Sequence, residues 1–291
     1  MAAIVEKAGK GKGGANKGTE GPRFGRVKSN LKMGILGLPN VGKSSLFNLL
    51  TKQAAAAENY PFCTIEPNES KCQVPDARFD WLCDLWQSPS KVPAMLHITD
   101  IAGLIRGASE GAGLGNAFLS HIAAVDGLFH VVRAFDNPEV VHVDDSVDPI
   151  RDMETIIHEL CQKDIVYVQK VRNAAELDLK KDPKKKLPAA FYEVMDMADE
   201  LLNDDKPLRG HTWNIEQVSK INELIPQAIT LKPIVYLVNL DSRSFIRKAN
   251  KWLPKIQAWV TEHGGGTVIP MSVDWEQGLW DLRDDPAGKA E

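Results

Sequence analysis

Residues 31–51, LKMGILGLPNVGKSSLFNLLT, contain the reading that decides the fold. Leu31 to Leu36 form a mostly apolar run of strand length, and Ser45, Leu46, Phe47, Leu49 and Leu50 continue as a helix with one apolar face. Between them, Gly37 to Ser44 match GxxxxGK[ST] in full. A glycine-rich turn between strand and helix lets backbone N–H groups wrap a phosphate, and the following helix presents its positive end to it. Lys43 is then expected at the β/γ-phosphates, and the Ser44 hydroxyl at a Mg²⁺ ion. Asn40 admits two uses, stabilising the turn or helping to hold a monovalent cation such as K⁺.

Two elements downstream supply what a hydrolysing phosphate loop requires. The strand-like run Ala94 to Thr99 ends on Asp100-Ile101-Ala102-Gly103. An aspartate at a strand's C-terminal end reaches the Mg²⁺ shell, and Gly103 offers its N–H to a γ-phosphate. Pro61-Phe62-Cys63-Thr64 lies between the first helix and the next strand, so Thr64 is expected to complete the metal's coordination as a switch threonine. Leu104 stands where Ras-like enzymes carry a water-orienting glutamine, and leucine cannot polarise water. Hydrolysis is therefore expected to be slow, or assisted by another group. His121 and His142 are the histidines considered for that role, while His97 falls inside a strand, where a structural role is expected. Gly107 to Gly115 holds four glycines in nine residues and reads as a flexible switch loop.

The whole chain is 291 residues long, 43% hydrophobic and 25% charged, with formal charge −4. That balance excludes a strongly basic nucleic-acid coat, and no run of apolar residues is long enough for a membrane span. The start lacks an apolar segment with a cleavage site, so secretion is not expected. The four cysteines, at 63, 72, 83 and 161, fit no metal spacing and are expected as cytosolic thiols. Residues 1–30 read as a flexible basic tail: to residue 32, eight Lys and Arg stand against Glu6 and Glu20. Such a tail either solubilises the chain or contacts RNA phosphates weakly.

Three helical stripes follow Leu128 to Val132, a further buried strand. Ile150, Met153, Ile157 and Leu160 mark the first; Phe191, Met195, Ala198 and Leu202 the second; Ile215, Val218, Ile221 and Ile225 the third. The lysine-rich segment 180–186 reads as the exposed tip between the first two, either simply solvated or touching RNA. Expected boundaries are a first sheet part over 31–147, a helical insertion over 148–228 and a second sheet part over 229–291. In that second part PIVYLV, Pro233 to Val238, is a strand ending on Asn239-Leu240-Asp241-Ser242. A GTPase shows Asn-Lys-x-Asp here, its carboxylate accepting from guanine N1–H and the 2-amino group. Leucine replaces the lysine and the carboxylate comes one residue early, which removes a reason to prefer GTP. A helix around Phe245 to Val260 and a strand Thr267 to Met271 follow, placing Ser272 at a base-edge contact.

Together, GLPNVGKSS at 37–45, NYPFCTIEPNES at 59–70, DIAGL at 100–104, GLGNAFLSHI at 113–122, VDPIRDME at 147–154 and IRKANKWL at 246–253 resemble the Obg-like ATPase family, the YchF-type branch of translation-factor-class P-loop proteins. The resemblance runs from about residue 23 to about 275. It implies an α/β P-loop NTPase G-domain with a mainly parallel central sheet and an inserted helical, coiled-coil-like subdomain. It further implies ATP rather than GTP, Mg²⁺, slow hydrolysis, and association with the ribosome or a ribosomal subunit, in part through rRNA. Carried over by position, Asn40, Val41, Gly42, Lys43, Ser44 and Ser45 hold the phosphates, and Ser44, Thr64 and Asp100 surround the metal. Asn239, Leu240 and Ser272 then line the adenine site, and His142 takes the place of the histidine that compensates for the missing glutamine. Two departures stand out. Ser242 occupies the position of the family's base-site glutamate, leaving Asp241 as the substitute. Family members also continue into a small β-rich TGS domain, whereas this sequence stops at Glu291, so the expectation is a chain without it. The alternatives are a GTPase or dual-nucleotide switch, and a nucleotide-dependent scaffold with negligible turnover.

Overall fold

The computed structural model describes residue 24 and residues 31–57, 68–101, 121–137, 146–181 and 186–283. Among them, six strands form one sheet: β1 (Leu31–Leu36), β2 (Glu69–Gln73), β3 (Met95–Asp100), β4 (Gly127–Arg133), β5 (Ile234–Asn239) and β6 (Thr267–Met271). Their order is β2-β3-β1-β4-β5-β6. Only β2, at one edge, runs antiparallel to its neighbour; the other pairs are parallel. Central strands of a parallel sheet are covered on both faces, which explains runs such as GILG and FHVV that show no clean alternation. Ile35, Leu36, Ile98, Leu128, Val131, Val132 and Val238 are accordingly buried.

The strand order reverses at β1, which is flanked by β3 and β4. In open α/β sheets, ligands bind beyond the carboxyl ends of the strands at such a point. The register brings the relevant residues there: Ile35 pairs with Asp100, Arg133 with Asn239, and Asn239 with Met271. Helix α1 (Lys43–Ala57) leaves from the same edge. Helix α2 (Ala77–Trp86) connects β2 to β3 and starts at Asp76, whose side chain accepts from the Arg78 N–H.

The helical middle of the chain shares one continuous core with the sheet. Helix α3 (Pro149–Lys181) has 33 residues, about 50 Å at 1.5 Å per residue. Met153, Ile156, Ile157, Leu160, Cys161, Ile165 and Val168 are buried with the strand residues, whereas Leu177 near its end is exposed. Helix α4 (Ala189–Asn203) returns antiparallel, held where Arg172 bridges Asp196 at 2.7 Å and Asp199 at 2.9 Å. Helix α5 (Ile215–Leu224) opens on a reciprocal cap between Asn214 and Gln217. Its packed stripe begins with Val218 and Ile221; Ile215, expected on that face, is 69% exposed because the contact starts one turn later. The chain re-enters the sheet under the control of one buried carboxylate. Asp164 on α3 accepts from the Ile229 N–H at 2.9 Å and the Thr230 N–H at 2.7 Å, satisfying donors that otherwise lie buried.

One expected helix is two. The segment around Phe245 to Val260 divides into α6 (Ser242–Arg247) and α7 (Leu253–Glu262). Lys248 closes α6 in the left-handed conformation, φ 54°, a role usually signalled by glycine and therefore hidden in the sequence. Asn250 then accepts from the Trp252 N–H at 2.8 Å, and a proline opens α7. Helix α8 (Val273–Asp281) closes the described chain after β6. The architecture is the α/β fold expected, a mainly parallel sheet with a phosphate loop and an inserted helical unit.

Candidate nucleotide-binding site

The loop from Gly37 to Gly42 crosses the carboxyl end of the sheet and delivers Lys43 to the first position of α1. Two glycines are demanded by what lies beneath. A Cβ on Gly37 would fall 2.5 Å from the Val131 carbonyl oxygen of β4, so no side chain fits there. Gly42 has φ +101°, and its Cβ would meet Asn239 Nδ2 at 2.6 Å. Asn40 takes the left-handed conformation with φ 60°, which asparagine tolerates better than most residues. Its carbonyl accepts from Arg133 Nη1 at 3.4 Å. Arg133 is buried at the end of β4, donates through Nε to the Phe135 carbonyl at 3.2 Å and stacks 4.7 Å from the Phe135 ring. It supports the loop from below, a role its position as a charged residue ending an apolar strand only hints at.

Lys43 and Asp100 form the polar heart of the site. The Lys43 ammonium donates to the Leu38 carbonyl at 2.6 Å, and the residue is 8% exposed. Burial pushes its pKa down to about 8, with the Asp100 carboxylate opposing the shift. Asp100 closes β3 and accepts from Ser44 Oγ at 3.1 Å through Oδ2. Its other oxygen, Oδ1, is buried with no hydrogen-bond partner among the described residues. Burial raises the Asp100 pKa, while the Ser44 hydroxyl and Lys43 hold it down. A carboxylate oxygen without a partner beside a hydroxyl is an all-oxygen donor set, which fits a hard dication such as Mg²⁺.

Asn239 joins the loop to the far side of the sheet. It is 4% exposed, donates through Nδ2 to the Val41 carbonyl at 3.0 Å and accepts at Oδ1 from the Val273 N–H at 3.1 Å. One amide therefore ties the phosphate loop, the end of β5 and the start of α8 together. Leu240 is 3% exposed, and its N–H donates to the Met271 carbonyl at 2.8 Å. Ser272 is buried and its Oγ accepts from the Trp275 N–H at 3.3 Å, capping α8. The Asp241 carboxylate caps α6 by accepting from the Ser244 N–H at 2.8 Å; bonding to Ser244 holds its pKa below the usual range. Asp241, the residue expected to substitute for the missing glutamate, thus uses Oδ1 to cap α6. Ser242 Oγ instead hydrogen-bonds Asp274 Oδ2.

Asn40, Val41, Gly42, Lys43, Ser44, Asp100, Asn239, Leu240 and Ser272 therefore gather at one edge of the sheet. Thr64, Gly103, Leu104, His142 and the glycine-rich run 107–115 lie outside the described residues. His121 is exposed. His97 sits in β3 in register with Lys32 and Lys71, and burial and those lysines lower its pKa. No sequence motif marks His130, which is buried in β4 beside Tyr236, with ring centroids 5.5 Å apart. Burial pushes its pKa down to about 3, so it stays neutral and belongs to the core.

This geometry has clear counterparts. A family model described as 50S ribosome-binding GTPase matches residues 32–170. Obg-like ATPase 1 of Oryza sativa subsp. indica is 53% identical over 270 residues, covering 93% of this chain and 68% of the relative. Obg-like ATPase 1 of Homo sapiens is 48% identical over 263 residues, covering 90% of this chain and 66% of the relative. Among solved structures, Schizosaccharomyces pombe YchF GTPase aligns with TM-score 0.72 at 42% identity, over 90% of this chain and 73% of that one. With the phosphate loop, Asp100 and the Asn239 tether arranged on that shared fold, the chain belongs to the Obg-like ATPase (YchF) family of nucleotide-binding G-domain proteins.

Proposed function

We propose that the chain is a Mg²⁺-dependent switch that binds and slowly hydrolyses ATP in the cytoplasm, in association with ribosomes or a ribosomal subunit through rRNA. The observation that carries this reading is the junction of Ser44, Lys43 and Asp100, where a buried carboxylate oxygen awaits a ligand beside the phosphate loop. Ser44 and Asp100 would hold the metal, with Thr64 as a further ligand. When bound, Mg²⁺ supplies positive charge against the β- and γ-phosphate oxygens. Asn40 to Ser45 wrap the phosphates, Lys43 adds its ammonium to them, and Gly103 contributes an N–H at the γ-phosphate. His142 orients the attacking water in place of the glutamine that Leu104 replaces.

Preference for ATP is supported at the end of β5. Ser242 carries no carboxylate where a base-site acid is expected, and Asp241 uses Oδ1 to cap α6, which removes a reason to prefer guanine N1–H and the 2-amino group. A GTPase or dual-nucleotide switch is the second reading, favoured by the GTPase names of the matching family model and of the S. pombe relative. Single-turnover hydrolysis with and without Mg²⁺ tests the proposal. His142→Ala is expected to slow turnover while leaving ATP affinity intact. Unchanged turnover removes the histidine's role, and no Mg²⁺-dependent turnover in the unaltered chain leaves only a nucleotide-dependent scaffold.

A further inference from the structure

We infer that Asp274, held by Ser242, is the base-selecting acceptor of this chain and takes the 6-amino group of adenine. The inference rests on the ATP reading above and adds the residue that would enforce it. At the turn after β5, residue 242 is serine and Asp241 uses Oδ1 to cap α6. A further carboxylate stands there, contributed from the neighbouring strand end. Asp274 is the second residue of α8, and its Oδ2 bonds Ser242 Oγ across 32 positions of sequence.

Three contacts put this pair beside the phosphate loop. Val273, immediately before Asp274, donates its N–H to Asn239, which in turn holds the Val41 carbonyl. A Cβ on Gly42 would come within 4.0 Å of Val273 Cγ2. Leu240, two residues before Ser242, is pinned to Met271 of β6. Asp274 itself is exposed, so its carboxylate is open to a ligand, while Ser272 and Asn239 behind it are buried.

The chemistry of the pair favours adenine. Reading guanine through N1–H and the 2-amino group uses both oxygens of one carboxylate side by side. Ser242 already donates to Oδ2, which leaves Oδ1 as the readier acceptor. Adenine offers one donor on its pairing edge, the 6-amino group, whereas its N1 only accepts. A carboxylate presented to the guanine 6-oxygen would instead oppose two acceptors.

The test compares ATP with purine riboside triphosphate, which lacks only the 6-amino group, by equilibrium titration of the full chain in Mg²⁺. Asp274→Ala is expected to weaken ATP about tenfold, the order of one hydrogen bond to a charged group. Binding of purine riboside triphosphate should stay within about twofold, which also reports an intact fold. Ser242→Ala should weaken ATP in the same direction and by less, because it frees the carboxylate without removing it. An Asp274 that only favours the start of α8 would lower thermal stability and affect both nucleotides alike, and that result overturns the inference. So does an Asp274→Ala chain that binds both as before. Failure of the ATP reading is separately visible, since the unaltered chain would then not bind ATP at all.

Discussion

Asn239→Ala separates a structural tether from a base-reading side chain. The amide donates to the Val41 carbonyl at 3.0 Å and accepts from the Val273 N–H at 3.1 Å, both in buried surroundings. Truncation leaves a buried acceptor and a buried donor unpaired, at about 1–3 kcal/mol each. It also opens space beside Gly42, whose conformation was shaped around the amide. The expected loss is about 2–6 kcal/mol of stability in the nucleotide-free chain, measured as a shift of the urea midpoint at unchanged slope. Asn239→Asp should be no milder, because a carboxylate oxygen would replace the donor that faces the Val41 carbonyl. Nucleotide affinity should fall in both variants, since the phosphate loop loses its tie to β5. The reasoning fails if Asn239→Ala unfolds at the same urea concentration as the unaltered chain and loses nucleotide binding alone. In that case the side chain serves the base and not the loop.

Two further outcomes follow from buried charge. Lys43 is held at about 8 in the folded chain against an ordinary value of 10.5. Between those values the unfolded chain binds the additional proton, so nucleotide-free stability should rise with pH across that window, as unfolding titrations at several pH values would show. Bound phosphate favours the charged ammonium, so nucleotide binding should take up a proton above pH 8 and weaken as pH rises further; calorimetry in buffers of differing ionisation enthalpy reads this directly. Asp164→Ala should cost about 2–4 kcal/mol in thermal or urea unfolding, because the Ile229 and Thr230 N–H groups lose their shared acceptor.

What the sequence reveals follows the distance over which each feature acts. The β1–loop–α1 unit was legible because strand, glycines, Lys43 and Ser44 are contiguous and their chemistry is local. The stripes of α3 and α4 were legible because burial repeats along a helix, as Met153, Ile157 and Leu160 show. The tether from Asn239 to Val41 was not, since 198 positions separate the two and only the parallel register unites them. The Ser242–Asp274 pair was hidden for the same reason: each residue alone reads as an ordinary helix start. Lys248 shows a different limit. A left-handed turn made by lysine breaks a helical segment without any glycine to announce it.

The central claim is an ATP-directed switch built on a G-domain fold, and side-by-side ATP and GTP affinities in Mg²⁺ test it most directly. The arrangement of Ser242, Asp241 and Asp274 predicts that ATP binds more tightly than GTP. Tight GTP binding with negligible ATP binding would contradict it.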